Sequence, residues 1–232
     1  MSSLKFAAII STLVFVSVVS CKNEIGGSKD VNPENIYFDY KIWGDEGKDN
    51  ITCMLRFHFS GQNGIALLLD EPSRVELDGE EIPADSARLS GVFYEIQKPL
   101  NDFMGKHIIT FTGIDNKQYK EEFFFQPFVL KIGPPSIITR HDWVFQLEGL
   151  KPIDYIRVIA IDTSFASNGI NEIDTVKKGT LVIQKEKLSN LVNGPVTMQM
   201  FKEEEQPIKN GTKRGGKLSI TYGLKRHFEL KE

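Results

Sequence analysis

Histidine, cysteine and acidic residues could carry chemistry in this chain, but their spacing does not favour a catalytic or metal site. The four histidines stand far apart, at positions 58, 107, 141 and 227. A zinc site needs three or four ligands, usually including a closely spaced pair, and this arrangement lacks one. His141-Asp142 has the composition of a base with an orienting acid, yet adjacent residues of a strand or turn point to opposite sides. The spacing therefore predicts no metal site and no cofactor.

Other nucleophiles and paired acids also lack a supporting motif. Cys53 lies on the apolar side of an alternating run, where a thiol is usually inert packing. Consecutive acids such as Glu121-Glu122 have the composition of a glycosidase pair, but we expect them to be exposed and solvated. The chain contains no Gly-x-Ser-x-Gly, Walker or Gly-x-Gly-x-x-Gly motif. We predict that the protein is not an enzyme; an envelope enzyme whose site assembles only in three dimensions is an alternative.

Short runs that alternate between apolar and polar residues cover most of the chain, as is typical of antiparallel sheets. In Ile51 to Phe59, every second residue is apolar and falls on one face. Seven such runs in residues 35–127 and seven in residues 128–232 predict an all-β protein of two consecutive antiparallel β-sandwich domains. The boundary is placed near Gln126-Pro127, and one larger sandwich with a bend at that point is the alternative.

Two segments carry a resemblance to a known domain class. Glu71 to Gly79, followed later by Gly105 to Phe111, resembles the immunoglobulin-like modules of bacterial surface proteins. The resemblance implies an Ig-like sandwich for each domain, and it implies no particular activity.

The two tryptophans are candidate ligand contacts. Trp43 ends a predicted strand just before Gly44, and Trp143 opens another just after His141-Asp142. Because flat rings stack on sugar faces, an exposed tryptophan near a sheet end would suit a shallow glycan site. A place in the core is the alternative for each.

Residues 1–20 have the pattern of an export signal. A single charge, Lys5, precedes an apolar stretch from Phe6 to Val19. At about 1.5 Å per residue this stretch spans about 21 Å, which is shorter than the hydrocarbon core of about 30 Å. The length therefore favours a cleaved signal peptide over a membrane-spanning helix.

Val18-Val19-Ser20-Cys21 resembles the lipobox of bacterial lipoproteins. The resemblance implies that Cys21 becomes the first residue and carries fatty acyl chains, so that the membrane is a partner through lipid. Two or more chains anchor a protein stably. The family retains proteins with Asp after the cysteine at the inner membrane; this chain has Lys22, which favours the outer membrane. Lys22-Asn23-Glu24 is also faintly similar to an export tag of surface lipoproteins in the Bacteroidota. The periplasmic and surface faces both stay open.

The remaining composition fits an envelope protein of ordinary solubility. Cleavage after residue 20 removes one of the 28 basic residues and none of the 31 acidic residues, which leaves a net charge of about −4. This balance argues against nucleic acid as a partner. The polar, glycine-containing residues 21–34 predict a lipidated, flexible tether. We therefore predict an anchored, non-catalytic binding or structural module whose partner is an envelope protein or a glycan, and a glycan-binding accessory protein is the sharper alternative.

Overall fold

The computed structural model describes residues 25–87, 91–164 and 167–232. Within these ranges the chain is built almost entirely of β-strands, with four short 3₁₀ helices. The prediction of an all-β fold is confirmed. The signal peptide and Cys21 lie outside the described residues, so their predicted roles stay predictions.

The elements follow in chain order. The strands are β1 (Ile25–Gly27), β2 (Ile36–Asp45), β3 (Asn50–Phe59), β4 (Ala66–Leu68), β5 (Arg74–Leu77), β6 (Glu80–Glu81), β7 (Ala84–Ala87), β8 (Gly91–Pro99), β9 (Gly105–Thr112), β10 (Gln118–Phe125), β11 (Val129–Leu130), β12 (Ile137–Ile138), β13 (Trp143–Glu148), β14 (Ile153–Asp162), β15 (Ile170–Lys177), β16 (Thr180–Ile183), β17 (Gly194–Pro207) and β18 (Gly216–Leu230). The 3₁₀ helices are Ser28–Asp30, Pro33–Asn35, Leu100–Asp102 and Lys185–Asn190.

Two sheets contain these strands. The larger runs in the order β1-β4-β3-β2-β18-β17-β14-β15-β16-β13-β11, with β8 beside β3, β7 beside β8, and β12 beside β18. The smaller has the order β10-β9-β5-β6. Most pairings are antiparallel, as predicted, but β1 with β4, β12 with β18 and β2 with β18 are parallel.

The first sandwich packs the small sheet against the N-terminal part of the large one. Period-two alternation points the apolar residues of β2, β3, β9 and β10 toward the space between the sheets. Aromatic rings fill this space: Phe38 lies 5.0 Å from Phe111, and Phe57 lies 4.9 Å from Phe111, between ring centroids. Burial of these rings is the main stabilising contribution in this half.

The second sandwich forms because the large sheet folds over on itself. β15 and β16 share a single bridge, Lys177 with Thr180, around the turn at Lys178-Gly179. β16 then leads into a second layer with β13 and β11. Trp143 of β13 contacts Phe228 of β18 with a centroid distance of 5.0 Å, although four strands separate β13 from β18 in the sheet order.

The long β17–β18 hairpin belongs to both sandwiches. Val196–Phe201 of β17 pairs with β14 in the second half, whereas Gly216–Gly223 of β18 pairs with β2 in the first. The acidic run at residues 203–205, followed by lysines and glycines up to residue 217, predicts a long mobile hairpin loop, and this expectation is wrong for most of the segment. Glu203–Glu205 lies inside β17, and the connecting residues 208–215 include the buried Ile208 and Thr212.

The predicted flexible tether needs a correction for residues 25–34. Ile25–Gly27 forms β1 on the edge of the large sheet. Ser28 is 1% exposed, and its hydroxyl accepts a hydrogen bond from the Asp70 N–H at 2.8 Å. Polar composition is the basis of the tether prediction, but backbone pairing, buried polar contacts and the packing of Val31 against the core hold this segment in place.

The domain boundary near residue 127 stays a prediction. Several contacts of the first sandwich involve residues that follow this boundary. Phe128 is fully buried and packs against Tyr222, with a centroid distance of 5.9 Å. Phe125 lies 6.1 Å from the same ring. A first domain that ended at residue 127 would lack the part of β18 that pairs with β2.

Candidate functional site

An apolar groove opens between β12 and β13, at the place where the rolled sheet fails to close. Its volume is about 310 Å³. It is lined by residues from three consecutive stretches of chain, Ile132 to Pro135, Ile137 to Thr139 and His141 to Gln146. The prolines prevent the first stretch from joining a sheet, so the chain passes over the end of the sandwich as a loop.

The groove carries exposed apolar side chains. Ile132 is 70% exposed, Ile137 is 46% exposed and Val144 is 57% exposed. Val144 points outward because its neighbours Trp143 and Phe145 take the inward positions of β13. Clustered exposed apolar side chains mark interaction surfaces more often than single ones do.

The backbone of β13 is also open along this groove. The Lys131 N–H donates to the Gln146 carbonyl at 2.8 Å, and the pairing with β11 ends there. Alternate residues of a strand direct their N–H and C=O groups to the same side. The N–H and C=O groups of Val144 therefore point to the same side of β13 as those of Gln146. In the described part of the chain, only β16 and β11 pair with β13. An extended segment could therefore continue this sheet.

The turn that leads into β13 is held by hydrogen bonds rather than by apolar packing. The Arg140 guanidinium donates to the Leu188 carbonyl at 2.7 Å, to the Leu191 carbonyl at 2.9 Å and to the Asn193 side-chain oxygen at 2.7 Å. These hydrogen bonds join the turn to the last 3₁₀ helix and to the segment that follows it. Sequence reasoning missed Arg140, because the partners are mostly backbone oxygens about 50 residues away.

His141 and Asp142 do not form an acid–base pair. His141 Nδ1 lies 2.6 Å from the Thr139 hydroxyl, whereas the Asp142 carboxylate accepts from the Lys185 N–H at 2.9 Å. The two side chains thus have separate partners.

Trp143 and Trp43 lie in different environments. Trp143 is 2% exposed and donates its indole N–H to the Thr139 carbonyl at 3.1 Å, so it supports the groove from inside the core. Trp43 is half-buried on the outer face of β2, in register with Thr52 of β3 and Thr221 of β18. A ligand contact at either ring stays a prediction.

The face around Trp43 contains polar groups with unused bonding capacity. Asp39 lies on the same side of β2 and pairs in register with Arg56 of β3. Asp39 is 5% exposed. Within the described residues, Asp39 Oδ1 and Arg56 Nε have no hydrogen-bond partner. Both atoms are buried, and Asp39 stands four residues from Trp43 along β2, so a ligand stacked on the indole would not reach them.

A smaller cavity of about 190 Å³ lies where the two sandwiches meet. Lys151 donates to Glu204 at 2.8 Å, and Lys202 lies 3.4 Å from the same carboxylate. Burial raises the pKa of Glu204, but the bond from Lys151 and the charge of Lys202 outweigh burial and lower it overall. The bond to Glu204 raises the pKa of Lys151. Both pKa values move away from neutrality, so these groups suit an ion pair better than acid–base catalysis.

Cys53 is a core thiol, as its alternation pattern predicted. It is 0% exposed, and burial raises its pKa to about 12. A thiol in this setting is a poor nucleophile. Among the described residues, no group of three or more histidine, cysteine or acidic side chains could hold a metal ion. In the same part of the chain, no helix has the length and apolar character that a membrane span requires.

Comparisons with known proteins give only distant likenesses. No protein-family model matches the chain, and no curated protein matches it. Among solved structures, it is similar to DIP-gamma IG1+IG2, with a TM-score of 0.24 and 9% identity over 85% of this chain and 98% of that one. Dpr11 IG1 bound to DIP-gamma IG+IG2 gives a TM-score of 0.23 and 9% identity, over 82% of this chain and 98% of that one.

A third similar structure is the SGBP-B protein of the Bacteroides ovatus mixed-linkage glucan utilization locus, in complex with a mixed-linkage heptasaccharide. The TM-score is 0.21 and the identity is 12%, over 86% of this chain and 65% of that one. These neighbours are Ig-domain proteins and a glycan-binding protein. TM-scores this low carry no argument about what the present chain binds.

Proposed function

We propose that this chain is an exported lipoprotein, anchored through Cys21, that acts as a non-catalytic binding module at the cell envelope. Its ligand is an extended apolar segment of another envelope protein, bound in the groove beside β13. The observation that supports this most strongly is the coincidence of an open strand edge at Val144 with exposed Ile132 and Ile137. Backbone pairing would supply affinity, and the apolar side chains would supply selectivity.

The anchoring part of the proposal rests on Val18-Val19-Ser20-Cys21 and is tested by itself. Globomycin blocks the peptidase that cleaves lipidated precursors, so the precursor should accumulate in treated cells. Cys21→Ala should move the protein from the detergent phase to the aqueous phase in a phase-separation assay. Unchanged migration together with unchanged partitioning would contradict the anchor.

The groove is tested by site-specific photocrosslinking in intact cells. A photoreactive amino acid in place of Val144 should give a crosslinked product with an envelope protein. The matched control is Ile161 of β14, which is 55% exposed but lies outside the groove. Crosslinks from position 144 but not from position 161 support the proposal, whereas equal or absent crosslinking at both positions contradicts it.

A second candidate function, glycan binding, is favoured by the face around Trp43. The half-buried indole is flanked in register by the hydroxyl side chains of Thr52 and Thr221. Sugars use both stacking and hydrogen bonds. On this hypothesis, Trp43→Ala abolishes binding of a polysaccharide that a glycan array identifies, while Val144→Asp leaves it unchanged. A silent array and a silent tryptophan-fluorescence titration would remove its support.

A further inference from the structure

The edge of the large sheet at β1 and β4 carries an exposed apolar patch. Ile25 is 51% exposed and Leu68 is 40% exposed. Ile25 lies opposite Ala66 in the parallel pair, and Gly27 lies opposite Leu68. Ile25 and Leu68 therefore project from the same face, while Leu67 points into the core at 1% exposure. Ile65 lies on the other face, beside Leu67, because its Cγ2 and the Leu67 Cδ2 both face Gly26. We call Ile25 and Leu68 the edge patch.

The edge patch is firmly attached to the body of the protein. The Asp70 carboxylate accepts from the Lys29 N–H at 3.2 Å, and the Ser28 hydroxyl accepts from the Asp70 N–H at 2.8 Å. β1 pairs with β4 over all three of its residues. The first described residue, Ile25, thus has a fixed position on the sheet.

The length of chain between Cys21 and Ile25 limits how far the edge patch can stand from a lipid attached to Cys21. Only residues 22–24 separate the two positions. Consecutive Cα atoms are about 3.8 Å apart, so four steps reach at most about 15 Å, whatever their conformation. This distance is about two to three times the thickness of the polar headgroup layer on one side of a bilayer, about 5 to 8 Å.

We propose that the edge patch is a membrane-contacting surface, with lipid as its occupant. The proposal rests on the acylation of Cys21 that the proposed function includes. Acyl chains inserted in the bilayer would hold β1 beside the headgroups, where Ile25 and Leu68 would enter the interface. Apolar side chains at that depth lose contact with water, and each adds to the attachment. The protein would consequently have one preferred orientation on the membrane.

The test uses the full chain, processed and purified from a bacterium that acylates lipoproteins, and reconstituted in phosphatidylethanolamine–phosphatidylglycerol vesicles with spin-labelled headgroups. An environment-sensitive fluorophore is attached at Leu68→Cys. The matched control is Ile173→Cys in β15, a position that is 58% exposed and lies outside the edge patch. Cys53 is buried and stays unlabelled in the folded protein. Intact mass and vesicle flotation report the acylation independently.

The expected result is several-fold stronger quenching at position 68 than at position 173, with a blue-shifted emission only at position 68. Equal quenching at the two positions in protein that is acylated and floats with vesicles overturns the membrane contact and leaves the anchor intact. A mass without acyl chains, or protein that does not float, overturns the anchor and the contact together. A third variant carries a twelve-residue glycine–serine insertion before Ile25. The insertion should reduce the quenching at position 68 toward that at position 173. Undiminished quenching would show that the short connection does not position the edge patch, and would overturn the proposal.

Discussion

Glu121 secures the tip of the β17–β18 hairpin from inside the first sandwich. It is 2% exposed, and its Oε2 accepts from the Lys209 N–H at 2.9 Å and the Asn210 N–H at 3.3 Å. The expectation that Glu121 and Glu122 are both solvated is thus wrong for Glu121. Alternation with Tyr119 and Phe123 predicts that the Glu121 side chain points inward, whereas its charge predicts that it is exposed to water. Backbone N–H groups from a loop distant in sequence bind the carboxylate, and this makes its burial possible.

Removing this carboxylate should destabilise the protein measurably. Glu121→Ala leaves two backbone donors without their charged acceptor, so we expect a loss of about 2 to 3 kcal/mol in the free energy of unfolding. Glu121→Gln keeps one acceptor oxygen and should cost less. Urea unfolding followed by fluorescence measures both variants, and equal stability of Glu121→Ala and wild type would contradict the anchoring role.

Glu34 makes stability depend on pH in the acidic range. The hydrogen bond from Lys117 at 2.8 Å, followed by that from Tyr119 at 3.0 Å, lowers the pKa of Glu34 below its ordinary value of 4.5. A carboxyl whose pKa is lowered on folding stabilises the protein above its ordinary pKa. The contribution disappears as the pH falls through the lowered value.

The melting temperatures of wild type and Glu34→Gln should therefore differ most near neutral pH and converge as the pH falls below 4.5. Thermal denaturation at a series of pH values measures the gap. Glu81→Gln, at an exposed position in β6, serves as the control and should show no such convergence. A gap that stays constant down to about pH 3 would contradict the assignment.

At the scale of elements, the parallel pairing of β2 with β18 depends on a close backbone approach at Gly216. A Cβ atom at this position would collide with the Phe38 carbonyl oxygen and lie 2.7 Å from Phe38 Cβ. Gly216 pairs with Phe38 at the start of the ladder between the two strands. Glycine is needed here for space.

Gly216→Ala should accordingly cost about 1 to 3 kcal/mol, the range found for overpacking in a close contact. Gly133→Ala is the matched control, since its Cβ would meet nothing within 4 Å. Chemical denaturation measures both variants. If the two substitutions had the same effect, the close approach at Gly216 would not be limiting.

The alternating pattern predicted individual strands well but not their partners. β3, β10 and β13 follow the expected alternation, and Cys53 lies in the core as predicted. Alternation specifies which face of a strand is buried, but it does not identify the neighbouring strand. The pairing of β2 with β18, which are far apart in sequence, could therefore not be predicted from the alternating pattern. The groove was missed for the same reason, because it depends on where the rolled sheet stops.

At the scale of the whole molecule, the shared sheet couples the two sandwiches. A fragment of residues 25–127 would lose the β18 partner of β2 and the backbone donors to Glu121. We expect this fragment to show no cooperative thermal transition, whereas residues 25–232 unfold in one. Calorimetry of both proteins is the measurement, and a cooperative transition in the fragment would support an autonomous first domain that ends at residue 127.

The register of β18 also fixes a distance between two surfaces of the protein. β1 and β4 lie within one residue of the level of Gly216: Ala66 pairs with His58, His58 pairs with Tyr37, and the next residue, Phe38, pairs with Gly216. The groove lies level with Leu230, through its partner Ile138. The 14 steps between these ends of β18 measure about 45 Å at about 3.3 Å per residue. A protein held to a membrane at the end of β18 near β1 would present the groove at the other end of this strand. The groove would then lie beyond the lipid headgroups, where it could contact other envelope proteins.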